Sequence, residues 1–118
     1  MTKREERVLI VEDDATVARA IEQAGEEFCF RCDRATDGWE AIEKLETEQY
    51  SAIVIDTDVP RHSGFGVLNY LREEVGDDLP NVIVMTDRDD VRSRLGEKLT
   101  VVRKGDAVAE LTRVLCAE

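Results

Sequence analysis

The feature that most constrains this chain is where its apolar runs stop. Val-Leu-Ile-Val at 8–11 stops at Glu12, and Ala-Ile-Val-Ile at 52–55 stops at Asp56. Val-Ile-Val-Met at 82–85 stops at Thr86, and Thr-Val-Val-Arg at 100–103 stops at Lys104. The runs at 8–11 and 52–55, short, rich in β-branched residues and without polar alternation, fit strands buried on both faces, and 82–85 and 100–103 read as the fourth and fifth strands. A fifth segment, Phe-Cys-Phe-Arg-Cys at 28–32, alternates and reads as the second strand.

Helical spacing fills the intervals. Asp14 is placed to cap a helix with Val17, Ala20, Ile21 and Ala24 on one face, and Gly25 weakens its end. Asp37 and Glu40 form a capping box ahead of Ala41, Ile42 and Leu45. Trp39, the only tryptophan, reads as a packing residue at that helix start. Ser63 or Gly64 opens a third helix carrying Phe65, Leu68, Leu71 and Val75, followed by a loop over 76–80. A short, charged fourth helix falls within 87–99, with Val91, Leu95 and Leu99 four apart and Gly96 near its end. Asp106 caps a last helix with Val108, Leu111 and Leu115 inward. Strands alternating with helices predict an α/β domain over 1–118 with a mostly parallel sheet and right-handed crossovers. Ligands in such sheets sit beyond the carboxyl ends of the strands.

Charge and composition exclude several classes. The chain of 118 residues has a formal net charge of −11, so direct nucleic-acid binding is not expected. No apolar run approaches the roughly 18 residues of a membrane span, and the charged start leads into a run too short for a signal peptide. No membrane insertion and a cytoplasmic location are the expectations. The cysteines number three, Cys29, Cys32 and Cys116, which argues against a disulfide framework. Cys29 and Cys32 stand as a lone CxxC with no second cysteine pair, and His62 is the only histidine, so a zinc site is not expected.

The strand ends are where chemistry is expected. In a parallel sheet Glu12, Asp13, Asp14, Asp56, Asp58, Thr86 and Lys104 converge on one edge. Clustered carboxylates raise one another's pKa and call for a cation. An all-oxygen acidic set suits Mg²⁺. A lysine and a threonine hydroxyl are suitable donors to phosphoryl oxygens, and a carboxylate can act as nucleophile toward phosphorus.

With these residues in view, the sequence resembles the receiver domain of bacterial response regulators, above all single-domain chemotaxis-type regulators, over nearly its whole length. Val-Leu-Ile-Val-Glu-Asp-Asp at 8–14 resembles the family's first strand and acid pair. Asp56-Thr-Asp-Val-Pro60 with Gly64 resembles the phosphoacceptor strand end, and Thr86 and Lys104 fit the family's hydroxyl and lysine. The resemblance implies a flavodoxin-like, doubly wound five-stranded sheet of order 2-1-3-4-5 with about five helices, the fourth short. It implies Asp56 as phosphoacceptor in a two-component or phosphorelay system. Mg²⁺ would be bound by Asp13 directly, Glu12 through water, Asp56, and the Asp58 backbone carbonyl. Thr86 and Lys104 would hold the phosphoryl oxygens. The donor would be a sensor histidine kinase or a histidine phosphotransfer protein, and the output a changed surface for a downstream protein. It would not be a turnover enzyme: it would phosphorylate itself and at most lose the group slowly.

The chain also departs from the family. The interval from Thr86 to Lys104 is 18 residues, shorter than usual, with the shortfall in the fourth helix. Val101 stands where an aromatic switch residue is common, Asp87 where a small residue is usual, and Gly105 where proline is usual, so the family's cis peptide is not expected. Arg88 is placed to pair with Asp58 across the site mouth. Three other readings compete. A phosphorylation-independent interaction module is one. A phosphohydrolase of haloacid-dehalogenase type, from Asp56-Thr-Asp58, is another, although the acidic pair precedes the DxD and there is no room for a cap. A flavin carrier is the third, disfavoured by three acids where a phosphate loop would be.

Overall fold

A computed structural model describes residues 6–74, 81–95 and 99–117. The strands are β1 (Arg7–Val11), β2 (Arg31–Ala35), β3 (Ala52–Asp56), β4 (Asn81–Met85) and β5 (Thr100–Val102). The helices are α1 (Ala15–Glu27), α2 (Gly38–Thr47), α3 (Gly64–Glu74), α4 (Asp89–Leu95) and α5 (Ala107–Ala117). The five strands pair in parallel in the order β2-β1-β3-β4-β5. Val75, the 76–80 loop, the Leu95 side chain and Gly96 lie outside the described residues.

Strand alternation divides the core into two layers. Val8, Ile10, Ala52, Val54, Ile83 and Met85 point to one face, under α1 and α5. Leu9, Val11, Ile53 and Ile55 point to the other, under α2 and α3. Every residue of β3 is buried, as a central parallel strand covered on both faces must be.

The caps explain the helix starts. The Asp14 carboxylate accepts from the Thr16 and Val17 N–H groups at 2.9 and 3.3 Å. The Asp37 carboxylate accepts from the Glu40 N–H at 2.8 Å, while Glu40 reaches back to the Thr36 N–H at 2.6 Å. Asp106 does not act as the expected cap; it lies in a short 3₁₀ turn, Lys104–Asp106, that runs straight into α5.

Several expectations need correction. The second strand is not 28–32 but Arg31–Ala35. The apolar stretch before it closes α1: Cys29 adopts φ 64°, its N–H bonds the Glu26 carbonyl, and the Phe30 N–H bonds the Gly25 carbonyl. That is a Schellman cap with its apolar residue, Phe30, tucked into the core. In α1 the inward stripe is Ala18, Ile21, Ala24 and Gly25, which leaves Ala20 exposed. In α3 Val67 is buried with Leu71, and in α5 Ala107 takes the inward place expected of Val108, which is exposed. Trp39 packs at the helix start as expected, on the loop rather than the core: it is 54% exposed and stacks on the His62 ring at 4.2 Å.

Candidate functional site

Sheet register brings the chosen residues together. Val11 pairs with Ile55, so Glu12 lies level with Asp56. Asp56 pairs with Met85, so Thr86 follows one step beyond on the next strand. Met85 pairs with Val102, and Lys104 stands two residues further on. Its side chain folds back across the strand ends. Lys104 Nζ lies 2.8 Å from Asp56 Oδ2 and 3.0 Å from Glu12 Oε1.

Burial makes this cluster unusual. Glu12, Asp56 and Thr86 are essentially inaccessible, whereas Asp13 is exposed at the rim. Burial and the adjacent Asp56 carboxylate push the Glu12 carboxyl up to about 8, against the opposing pull of Lys104. Burial alone would raise Asp56 too. The neighbouring Glu12 carboxyl, the Lys104 ammonium and the Asp58 N–H outweigh it and hold Asp56 below the usual carboxylate range. That N–H donates to Asp56 Oδ1 at 3.0 Å. Burial would lower Lys104, but its bonds to Asp56 and Glu12 win and raise it.

The residues fit a hard cation. Glu12, Asp13 and Asp56 each offer a carboxylate oxygen, all within 4.8 Å of one another. Among the described residues Glu12 Oε2 is fully buried without a hydrogen-bond partner, an acceptor that a cation or its water would satisfy. The ligand set is oxygen throughout.

The surrounding loops are held closely. Gly64 sits so near the end of β3 that a Cβ there would collide with the Asp56 carbonyl oxygen, and its N–H donates to the Thr57 carbonyl at 3.2 Å. Arg61 Nε pairs with Asp37 at 3.3 Å, and with the Trp39–His62 stack this ties the loop after Asp56 to the start of α2. The Thr86 hydroxyl oxygen accepts from the Arg88 N–H at 3.1 Å, leaving its own proton to donate. Arg88 Nη1 reaches Asp58 Oδ1 at 3.1 Å, as its spacing suggested; both side chains are about half exposed. No cis peptide bond occurs among the described residues.

Two contributors were not legible in the sequence. The Asp87 carboxylate accepts from the Lys104 N–H at 3.1 Å and so anchors the lysine's backbone. Arg34 donates from Nε to the Glu12 carbonyl at 3.1 Å and from Nη2 to the Asp13 carbonyl at 3.0 Å. Arg34 lies on β2, whose largely polar residues carry no strand signal of their own. Cys29 is exposed and Cys32 half-buried; both are free thiols. No described helix is long and apolar enough to cross a membrane.

Comparison with known proteins agrees with this geometry. The model of the response regulator receiver domain family matches residues 8–101, a span that stops short of Lys104. Response regulator MprA of Mycobacterium ulcerans is 36% identical over 89 residues, which cover 75% of this chain and 38% of MprA. The chain therefore spans well under half the length of that relative. The receiver domain of Francisella response regulator 1452 superposes with a TM-score of 0.79 at 26% identity, covering 96% of this chain and 95% of that one. The receiver domain of the sensor histidine kinase PA1611 from Pseudomonas aeruginosa PAO1 gives 0.80 at 24%, covering 97% of both. A parallel sheet of order β2-β1-β3-β4-β5, acids at the ends of β1 and β3, and these matches together place the chain in the response regulator receiver domain family.

Proposed function

We propose that this domain accepts a phosphoryl group on Asp56 from a phosphohistidine of a sensor kinase or phosphotransfer protein. The observation that carries the reading is Lys104 reaching Asp56 at 2.8 Å from the far end of β5. A half-buried lysine there balances an ionised nucleophile before the reaction and meets phosphoryl oxygens after it. An Asp56 carboxylate oxygen forms the bond to phosphorus as the phosphorus–nitrogen bond breaks, and the electron pair leaves with the imidazole.

The acid cluster would hold Mg²⁺ through Asp13, Asp56 and the Asp58 carbonyl, with Glu12 acting through water. Bound there, the ion would neutralise charge on the transferring group. The PA1611 receiver domain carries a magnesium ion in its active-site cleft, which supports this choice. The Thr86 hydroxyl would donate to a phosphoryl oxygen. The domain would act by changing its surface for a downstream protein, with slow loss of the phosphoryl group to water as its only turnover.

The test is intact mass after incubation with Mg²⁺ and acetyl phosphate, with Asp56→Asn alongside. One added phosphoryl group in the wild type alone, lost on chelation, is the expected result. No addition, also with a phosphohistidine donor, would replace this reading with a phosphorylation-independent interaction module.

A further inference from the structure

We infer that Arg34 is a positioning residue for the metal-binding acids, an inference that rests on the proposed Mg²⁺ site. The last rung between β1 and β2 is the Glu12 N–H donating to the Ala35 carbonyl at 3.0 Å. Beyond it β2 turns away into the Asp37-capped start of α2. The Glu12 and Asp13 carbonyls have passed the end of the strand ladder, and Glu12 is fully buried, so water cannot serve its backbone freely.

Arg34 fills this gap. Its Nε and Nη2 bond the two consecutive carbonyls at 3.1 and 3.0 Å. One rigid guanidinium therefore fixes two successive peptide planes, and with them the directions of the Glu12 and Asp13 side chains. This matters because the carboxylates of Glu12, Asp13 and Asp56 crowd within 4.8 Å and repel when ionised. A loop free to turn would carry Asp13, the exposed member, away from the other two. The fork approaches from the main-chain side, so it orients the acids while leaving their oxygens open to a cation. A lysine ammonium, a point donor on a flexible stem, cannot reproduce that geometry.

Partners that orient metal ligands from behind are generally worth 10- to 100-fold in metal affinity. Mg²⁺ titrated calorimetrically into Arg34→Ala should bind at least about tenfold more weakly than into wild type. Arg34→Lys, which keeps the charge, should recover only part of that loss. In acetyl phosphate labelling, the Mg²⁺ concentration for half-maximal rate should rise in Arg34→Ala while the rate at saturating Mg²⁺ is kept. In metal-free protein, the amides of Asp13 and Asp14 should exchange faster. Wild-type Mg²⁺ affinity in Arg34→Ala, even with a lowered melting temperature, would reduce Arg34 to a structural brace and overturn the inference alone. Full affinity in Arg34→Lys would replace fork geometry with simple charge. Failure of the wild type itself to bind Mg²⁺ would sink the reading of the site, and the inference with it.

Discussion

Two sets of ion pairs lie within one end of this molecule, and they do different work. Lys104, Asp56 and Glu12 are joined where the acids are 0–2% exposed at their side chains. A few residues away, Arg88 bridges Asp58 and Asp90 at 3.1 and 3.4 Å, and Arg103 meets Asp89 at 2.9 Å, all with side chains about half exposed or more. Distances barely distinguish the two sets. Burial does: water screens the outer pairs, whereas the inner acids must be neutralised by Lys104, by a proton, or by a cation. A short ion-pair distance therefore says little about importance until the solvent around it is known.

The largest expected effect breaks the inner set. Lys104→Ala leaves Asp56 and Glu12 buried without their cation, and should cost about 3 kcal/mol in urea unfolding without metal at pH 7. A loss no larger than that of the surface pairs would erase the distinction. Next comes the metal. Mg²⁺ at a hundredfold excess over its Kd should stabilise the folded domain by about 2.7 kcal/mol, read as a rise in melting temperature that EDTA reverses. Gly64→Ala follows, at about 2 kcal/mol, because its Cβ meets the rigid end of β3 rather than a movable side chain. The outer set should respond far less. Arg88→Ala and Arg103→Ala should each change unfolding free energy by under about 1 kcal/mol. Asp58→Asn sharpens the same point: its expected signature is an altered lifetime of phosphorylated Asp56 with stability nearly constant, and an unaltered lifetime would remove Asp58 from the chemistry.

The smallest test concerns burial alone. Desolvation, then the nearby Glu26, Glu22 and Asp33, push the Cys32 thiol up to about 11. The thiolate is the reactive form, so at pH 8 only on the order of a thousandth of Cys32 can react. Iodoacetamide at pH 8 should label the exposed Cys29 and Cys116 and spare Cys32, whose labelling should rise only as the pH climbs toward 11. Equal labelling of all three at pH 8 would contradict the burial.

Legibility followed the same divide between inside and outside. β1, β3 and β4 were readable because strands covered on both faces leave unbroken apolar runs, and the polar residue that stops each run marks the site. The edge strand β2 was misplaced because its own residues, Arg-Cys-Asp-Arg-Ala, are half polar. Asp33 is accommodated there by the Tyr50 hydroxyl at 2.8 Å and by Arg7 at 3.3 Å, partners distant in sequence. The more apolar stretch beside it went into a helix cap. Trp39 packs at its helix start as its position suggested, but its partner, His62, lies on a loop distant in sequence that no local pattern names.

Local sequence alone determined the element types, the caps at Asp14 and Asp37, and the list of residues that end strands, since periodicity and punctuation are short-range properties. Parallel pairing then made the convergence of Glu12, Asp56, Thr86 and Lys104 nearly unavoidable. Only the tertiary structure decided which of these residues touch. The Lys104 contact with Glu12 closes over 92 residues, and the Arg34 contacts depend on the register of an edge strand against β1. Register is set by the whole ladder and the helices packed on it, so no window of sequence carries it.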